Sequence, residues 1–306
     1  MKKEITGPDT ISREQVSMIE LHSFRNIINV LISNIRLIEI ALERENRFPT
    51  STKLLHSFMN ALSGSEEALK FIDSLPQKSG KSTLRKILLK EFEEVKNDHP
   101  AADPDIWKQS EEIFREVFDI LEGRIIELRS RQYPACWVKL SPAEMEQSFK
   151  KFLQTTATNS RGKFRIVFPP SEKGAKDYLV RITIEGGEDG MIQMPDALHD
   201  CIRDIAANAR KYSLPGTEIN LSIRQTPEAL TVKVSDQGRG IPENEIEKVV
   251  LFGVRGSNTS PQETKGGGFG LTKAWYVTHH YAGRMWIDST VNVGTTITLQ
   301  IPIRPS

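Results

Sequence analysis

Apolar positions along the first third of the chain recur by threes and fours. Leu21, Phe24, Ile28, Leu31, Ile35, Ile38 and Leu42 form a seven-residue repeat, which predicts one long helix over residues 14–46. Pro49 and Thr50 close it. Residues 51–98 read as shorter helices, interrupted near Gly64 and across Pro76 to Gly80. A second long helix is expected from about Asp105 to Arg131, with a seam of Phe114, Phe118, Leu121, Ile125 and Leu128 on the same spacing. Two such helices suggest an antiparallel pair, completed by a second copy of the chain or closed within one chain as a bundle.

Beyond Pro134 the pattern changes. Ser141-Pro142-Ala143-Glu144 is a capping box with proline at the first helical position, opening a helix to about Leu153. Residues 155–163 are polar and contain glycine, as a linker would. Alternation then predicts strands at Phe164 to Phe168, Tyr178 to Ile184, Ile219 to Ile223, Leu230 to Val234, Met285 to Ser289 and Thr295 to Ile301. Helices are expected at 196–213 and from Leu271 to Tyr281. The fold class is α+β: an all-helical N-terminal bundle followed by a layered sandwich of helices on mostly antiparallel strands. The boundaries read as 1–135 for the helical domain, 136–160 for a linker helix and 161–306 for the sandwich domain.

Composition narrows the setting. In 306 residues, 41 Lys and Arg balance 40 Asp and Glu, so no basic excess exists to neutralise nucleic-acid phosphates. Cys136 and Cys201 stand far apart without metal-ligand spacing, which fits a reducing compartment. No apolar run approaches the ~18–20 residues of a membrane span, and no apolar signal core follows Met1. The reading is a cytoplasmic protein.

Four blocks carry chemistry. In Asp204-Ile205-Ala206-Ala207-Asn208-Ala209-Arg210-Lys211-Tyr212, Asp204 and Asn208 share a helix face. A carboxylate above a carboxamide suits an activated oxygen and a hydrated Mg²⁺ between phosphates, and Lys211 can reach a phosphate. Taken alone, the block equally describes an exposed polar face. Asp236-Gln237-Gly238-Arg239-Gly240 follows a strand; its carboxylate can accept a hydrogen bond from an adenine amino group, and its glycines let backbone approach a flat base. Lys265-Gly266-Gly267-Gly268-Phe269-Gly270-Leu271 opens a helix whose amides can cradle phosphates. Gly294-Thr295-Thr296 opens the last strand.

In this order and spacing, the blocks resemble the N box, G1 box, G2 box and final Gly-Thr-Thr of the ATP-binding domain of sensor histidine kinases, in the GHKL superfamily. Leu251-Phe252 resembles the F box of the lid, and the resemblance covers roughly residues 195–303. It implies that ATP and Mg²⁺ bind here. Asn208 would hold Mg²⁺ and Asp236 would bond adenine. Gly238, Gly240, Gly266, Gly268 and Gly270 would shape the base and phosphate loops, with Thr295 opening the last strand beside them. Lys211 and Arg255 would contact phosphates, and Tyr212 would line the pocket. Asp204 stands where the N box usually carries Glu, one methylene longer.

Glu20-Leu21-His22-Ser23-Phe24-Arg25-Asn26 lies in the first long helix. With Leu21 and Phe24 in the seam, His22 sits one step off it on an accessible flank, and a neutral imidazole is a competent nucleophile toward a γ-phosphate. The segment resembles the H box, with His22, Arg25 and Asn26 matching and Ser23 in place of the usual acid. His56 suits a packing or surface role, His99 precedes Pro100 in a loop, His199 lies upstream of Asp204 in the same helix, and the adjacent His279 and His280 point in different directions and make a poor metal pair. Gly80-Lys81-Ser82-Thr83 ends like a P-loop but lacks the earlier glycine, since position 75 is Leu.

The resemblance implies a cytoplasmic histidine kinase that dimerises through its helices, phosphorylates His22 with Asp204 as a catalytic group, and passes the phosphoryl group to a response regulator receiver domain. A degenerate kinase or phosphotransfer scaffold that binds a regulator with little autokinase activity is the alternative. A serine/threonine kinase of the same superfamily would not need the long helical half, and a gyrase-like ATPase would need a transducer domain.

Overall fold

The computed structural model describes residues 2–8, 11–74, 83–130, 137–159, 162–259 and 268–303. The chain divides into two compact units, Ser12–Ala135 and a second made of Met1–Ile11 with Cys136–Ser306.

The helical unit begins at α1 (Arg13–Ala41), where Ser12 and Gln15 form a reciprocal capping box. The helix stops short of the expected residue 46, because Glu43 and Asn46 take left-handed backbone angles. Three shorter helices follow, α2 (Pro49–Ala61), α3 (Ser65–Ser74) and α4 (Thr83–Asp98), then α5 (Pro104–Ser130). Both expected seams face a core shared by all five helices, with only Leu42 and Ile125 of them partly exposed. Of the two arrangements that the seams allow, this is the bundle closed within one chain. Phe24 meets Phe58 at 6.0 Å, Phe58 meets Phe71 at 5.0 Å, and Phe92 packs edge-on against Trp107 and Phe114. A heptad repeat specifies that a seam is covered but not which chain covers it. Within this core Asn34 donates to the Ser110 carbonyl at 3.2 Å, which pins α1 against α5 in one register. Gly80, Lys81 and Ser82 of the P-loop-like stretch lie outside the described residues, and Thr83 opens α4.

The second unit is built on a seven-stranded sheet in the order β1-β8-β9-β7-β6-β4-β3. Its strands are β1 (Lys2–Glu4), β3 (Ile166–Val167), β4 (Tyr178–Glu185), β6 (Glu218–Gln225), β7 (Ala229–Asp236), β8 (Arg284–Thr290) and β9 (Gly294–Pro302). Pairing is antiparallel from β1 through β6, while β6, β4 and β3 run parallel. Alternate residues such as Ile219, Leu221, Leu230, Val232, Val234, Ile297 and Leu299 are buried. The helices α7 (Asp196–Tyr212) and α8 (Gly270–His280) pack on the sheet and on each other, which makes the two-layer sandwich that the pattern predicts.

Three features depart from the expected boundaries. Residues 2–8 return to this unit: β1 pairs with the edge strand β8, Ile5 is buried, and Arg284 makes a bidentate pair with Glu4 at 2.7 and 2.8 Å. β2 (Trp137–Leu140) pairs with β5 (Ile192–Pro195), two short strands that alternation does not reveal. The helix expected as a linker, α6 (Pro142–Asn159), packs against α7: Arg203 donates to Ser148 at 2.8 Å, and Phe149 lies against the His199 ring at 4.8 Å. Met145, Phe149 and Leu153 are fully buried, so this segment is part of the core and not a tether. No described helix is long and apolar enough to cross a membrane.

Candidate functional site

α7 is strongly two-faced. Leu198, Cys201, Ile202, Ile205, Ala206 and Ala209 are buried, while Asp200, Asp204 and Asn208 recur every four residues on a partly exposed face. The helix ends where Ser213 turns extended and its hydroxyl donates to the Ala209 carbonyl at 2.6 Å. That end docks on the loop after β7. Arg239 donates its backbone N–H to the Tyr212 carbonyl at 3.1 Å, and Ser213 bridges Gly238. A Cβ at Gly238 would stand 2.6 Å from that carbonyl and 2.8 Å from Asp236 Oδ1, so only glycine fits.

Asp236 closes β7, and its Oδ1 accepts the backbone N–H of Gly238 at 2.8 Å and of Thr295 at 3.2 Å. Burial pushes its carboxyl above the ordinary aspartate range, against the pull of those two amides. Gly294 passes so close that a Cβ would be 2.0 Å from the Asp236 carbonyl. Behind it, Ser289 Oγ lies 2.9 Å from Thr295 Oγ1 and accepts the N–H of Ile241 at 2.8 Å. A cradle of fixed backbone thus surrounds one carboxylate at the sheet's end. Gly240 is left-handed at φ 68°, with its absent Cβ facing the Thr290 carbonyl at 2.2 Å.

The segment up to residue 259 returns to the same place. Asn258 donates from Nδ2 to the Gly240 carbonyl at 2.9 Å, and Arg239 donates to the Asn258 carbonyl at 2.8 Å. Phe252 stacks obliquely on Phe269 at 4.5 Å, and Gly268, at φ 74°, passes 3.2 Å from the Gly253 backbone when measured from its absent Cβ. Residues 252–253 and 268–269 therefore lie together. Residues 260–267, including Gly266, lie outside the described residues. Gly270 opens α8 against α7, its absent Cβ 3.3 Å from Asn208 Nδ2 and 3.5 Å from Asp204 Cβ. The N-terminal turn of this helix thus lies beside Asp204 and Asn208, where a helix start favours an anion. Lys211 and Arg239 both lie over the Tyr212 ring, at 5.3 and 5.8 Å, and Arg255 is exposed.

A family model described as "Histidine kinase-, DNA gyrase B-, and HSP90-like ATPase" matches residues 193–305. These residues form a histidine-kinase-type ATPase domain. The Bacillus subtilis sensor histidine kinase YvrG is 35% identical over 98 residues, which is 32% of this chain and 17% of that protein. The sensor histidine kinase WalK of the same organism is 33% identical over 111 residues, 36% of this chain and 18% of that one. The adaptive-response sensory kinase SasA of Synechococcus sp. (strain JA-3-3Ab) is 34% identical over 110 residues, 36% of this chain and 29% of that one. The aligned stretch spans less than a third of each of these relatives. A solved mycobacterial sensor histidine kinase, MprB, superposes with a TM-score of 0.41 at 21% identity, covering 56% of this chain and 100% of that one.

Within the ATPase domain, the geometry gathers Asp204, Asn208 and Gly270 in one place, and Asp236, Gly238, Gly240 and Thr295 in another, joined through Tyr212. Sequence reasoning missed Ser289, Asn258 and Lys273, which act through contacts distant in sequence. Lys273 sits one turn into α8, its Nζ 3.4 Å from Asp204. The spacing of Lys273 from Gly270 was the one available signal.

His22 belongs to the helical unit. It is half-buried, with Leu21, Ser23 and Phe24 buried beside it, so it is less open than an accessible flank. Its Nδ1 is buried. His22 and Ile40 are 18 residues apart, about five turns, and so share a side of α1. That side of α1 carries the exposed Met18, Val30, Leu37 and Ile40. Arg25 donates to the Leu62 carbonyl at 2.7 Å and caps α2, while Asn26 is exposed. His56 and His99 place Nδ1 2.8 and 2.9 Å from the carbonyls of Thr52 and Val95 in the preceding turn.

Proposed function

We propose that the chain is a histidine protein kinase that binds Mg·ATP in its ATPase domain and phosphorylates His22. The observation that carries the reading is Asp236, a carboxylate fixed by the Gly238 and Thr295 amides at a glycine-lined sheet end. Such a group accepts a hydrogen bond from the adenine amino group, which a guanine carbonyl at the same position would not offer. The amides at the start of α8, with Lys211 and Arg255, suit the phosphates. The Asn208 carboxamide oxygen suits Mg²⁺, which would neutralise charge between phosphate oxygens.

In the transfer, a ring nitrogen of His22 forms a bond to the γ-phosphorus as the bond to the bridging oxygen breaks, and ADP leaves. Asp204 would be the carboxylate that holds a proton during that step. The phosphohistidine then serves a response regulator receiver domain, whose aspartate accepts the phosphoryl group. The side of α1 bearing Met18, Val30, Leu37 and Ile40 suits a second copy, since the heptad seams are already covered within one chain.

Ser23, buried beside His22, favours a second reading. No acid follows the histidine, so the chain would act as a phosphotransfer scaffold with little autokinase activity. Incubation with ATP labelled at the γ-phosphate separates the two. A kinase takes acid-labile, base-stable label that His22→Ala and Asn208→Ala both remove. A scaffold takes label only from a phosphorylated regulator.

A further inference from the structure

We propose that Lys273 is a positioning residue for Asp204, an inference that rests on the kinase reading above. Lys273 lies on α8, three residues beyond Gly270, and its side chain is 4% exposed. A lysine is almost never buried this far without a partner. Its Nζ stands 3.4 Å from Asp204 Oδ2 and 3.7 Å from Asp200 Oδ2, both on α7. The ammonium therefore bridges the two helices that meet at the phosphate site, one turn behind the point where Gly270 touches Asn208 and Asp204. A compact ammonium on a flexible stem suits this place, because it can serve two carboxylates in different directions.

The consequence is directional. Asp204 has a short side chain with two rotatable bonds, and unpaired it would turn toward water or toward any Mg²⁺ beside Asn208. Tied to Lys273, its Oδ2 stays on the α8 side, and Oδ1 is the oxygen left for the reacting group. Catalysis of phosphoryl transfer depends mostly on positioning, so holding one oxygen while presenting the other belongs to the rate more than to nucleotide affinity. Asp200 completes the bridge and keeps the ammonium from following Asp204 if that group moves.

The test compares the full chain with Lys273→Met, Lys273→Arg, Asp204→Asn and the Lys273→Met/Asp204→Asn double variant, measuring self-labelling rate against ATP concentration. Lys273→Met is expected to lower the rate at saturating Mg·ATP by about tenfold or more while KM changes by less than about twofold. Lys273→Arg should recover most of the rate, and the double variant should be no slower than Asp204→Asn alone. Wild-type rate in Lys273→Met, or losses that multiply in the double variant, overturns the proposal. If the wild type takes no label, the kinase reading fails, and the lysine ¹⁵Nζ resonance assigned by its loss in Lys273→Arg decides the positioning role. A shift on adding Mg·ADP that Asp204→Asn abolishes supports it. A resonance indifferent to nucleotide overturns it.

Discussion

Asp236 and Thr295 lie 59 residues apart in sequence and 3.2 Å apart in space, with the amide of one donating to the carboxylate of the other. Burial raises the Asp236 carboxyl above its ordinary range, so this aspartate protonates at a higher pH than an exposed one does. The ionised form is the better acceptor for an adenine amino group. ATP affinity is therefore expected to weaken as pH falls through the raised value. Folding linkage has the opposite sign, because ionising a group whose folded pKa is raised costs stability as pH rises through it. Asp236→Asn should thus weaken ATP by about 1.5–3 kcal/mol, roughly ten- to a hundredfold in Kd, without lowering the melting temperature at neutral pH. Calorimetric titration with ATP and a thermal melt of the same sample check both halves.

The exposed side of α1 makes a separate prediction. Ile40 is 68% exposed, the most of the large apolar residues on that helix. If a second copy covers Met18, Val30, Leu37 and Ile40, Ile40→Glu places a charge in a dry interface and should shift the sedimentation profile toward monomer at micromolar concentration. The helical content should stay unchanged, because Ile40 is exposed and no member of the bundle's buried core. A profile identical to wild type would remove this side of α1 as the dimer surface.

The long elements were legible because their patterns are internal. α1, α5 and α7 announce themselves by a period of 3.6 over many residues, and five strands by a period of 2 within seven to nine. The nucleotide blocks show glycines where the backbone has no room for a Cβ, as at Gly238 and Gly240. What was illegible depends on partners remote in sequence. β1 is three residues of Lys and Glu with no apolar alternation, and its strand partner lies at Trp286 to Asp288. Lys273 reads as one more cation on a helix until α7 is laid beside it. The seam of α1 has the same spacing whether α5 or another chain faces it. Helical phase put His22 on an accessible flank, but it is half-buried with its Nδ1 buried, since burial depends on the neighbouring side chains and not on helical phase alone.

The return of the N-terminus to the ATPase domain's sheet has an energetic signature. Ile5 is 1% exposed, and its amide donates to the Met285 carbonyl at 2.9 Å. Gly7 runs directly against the Trp275 indole, where any Cβ would collide. Ile5→Ala is expected to destabilise the second unit by about 2–4 kcal/mol, the usual range for an emptied isoleucine site. Gly7→Val should move the Trp275 ring and change tryptophan fluorescence, because the side chain has no other space. A denaturant melt followed at the tryptophan emission checks both, and Ile5→Ala stability equal to wild type would mean that the strand contributes no core.

Glu91 supplies what α2 lacks. The residue before this helix is Phe48, which has no side-chain oxygen to cap the first amides. From α4, 40 residues on, Glu91 accepts the N–H of Thr50 at 2.9 Å and of Ser51 at 2.8 Å. Burial raises the Glu91 carboxyl, but the hydrogen bonds from Ser51 and Thr50 outweigh it and leave the pKa below the ordinary value of 4.5. Because the folded value is depressed, the contribution is fully present above the unfolded glutamate value and disappears as pH falls through the folded one. Glu91→Gln keeps the shape, removes the charge from the positive end of the α2 dipole, and can accept through only one oxygen. It should cost about 1 kcal/mol at neutral pH, the usual worth of a helix cap. The difference between variant and wild type should shrink on acidification below that depressed value, when both side chains are neutral. Parallel urea melts by circular dichroism at neutral and acid pH measure it, and a difference that grows on acidification would mean that the carboxylate does not act as the cap.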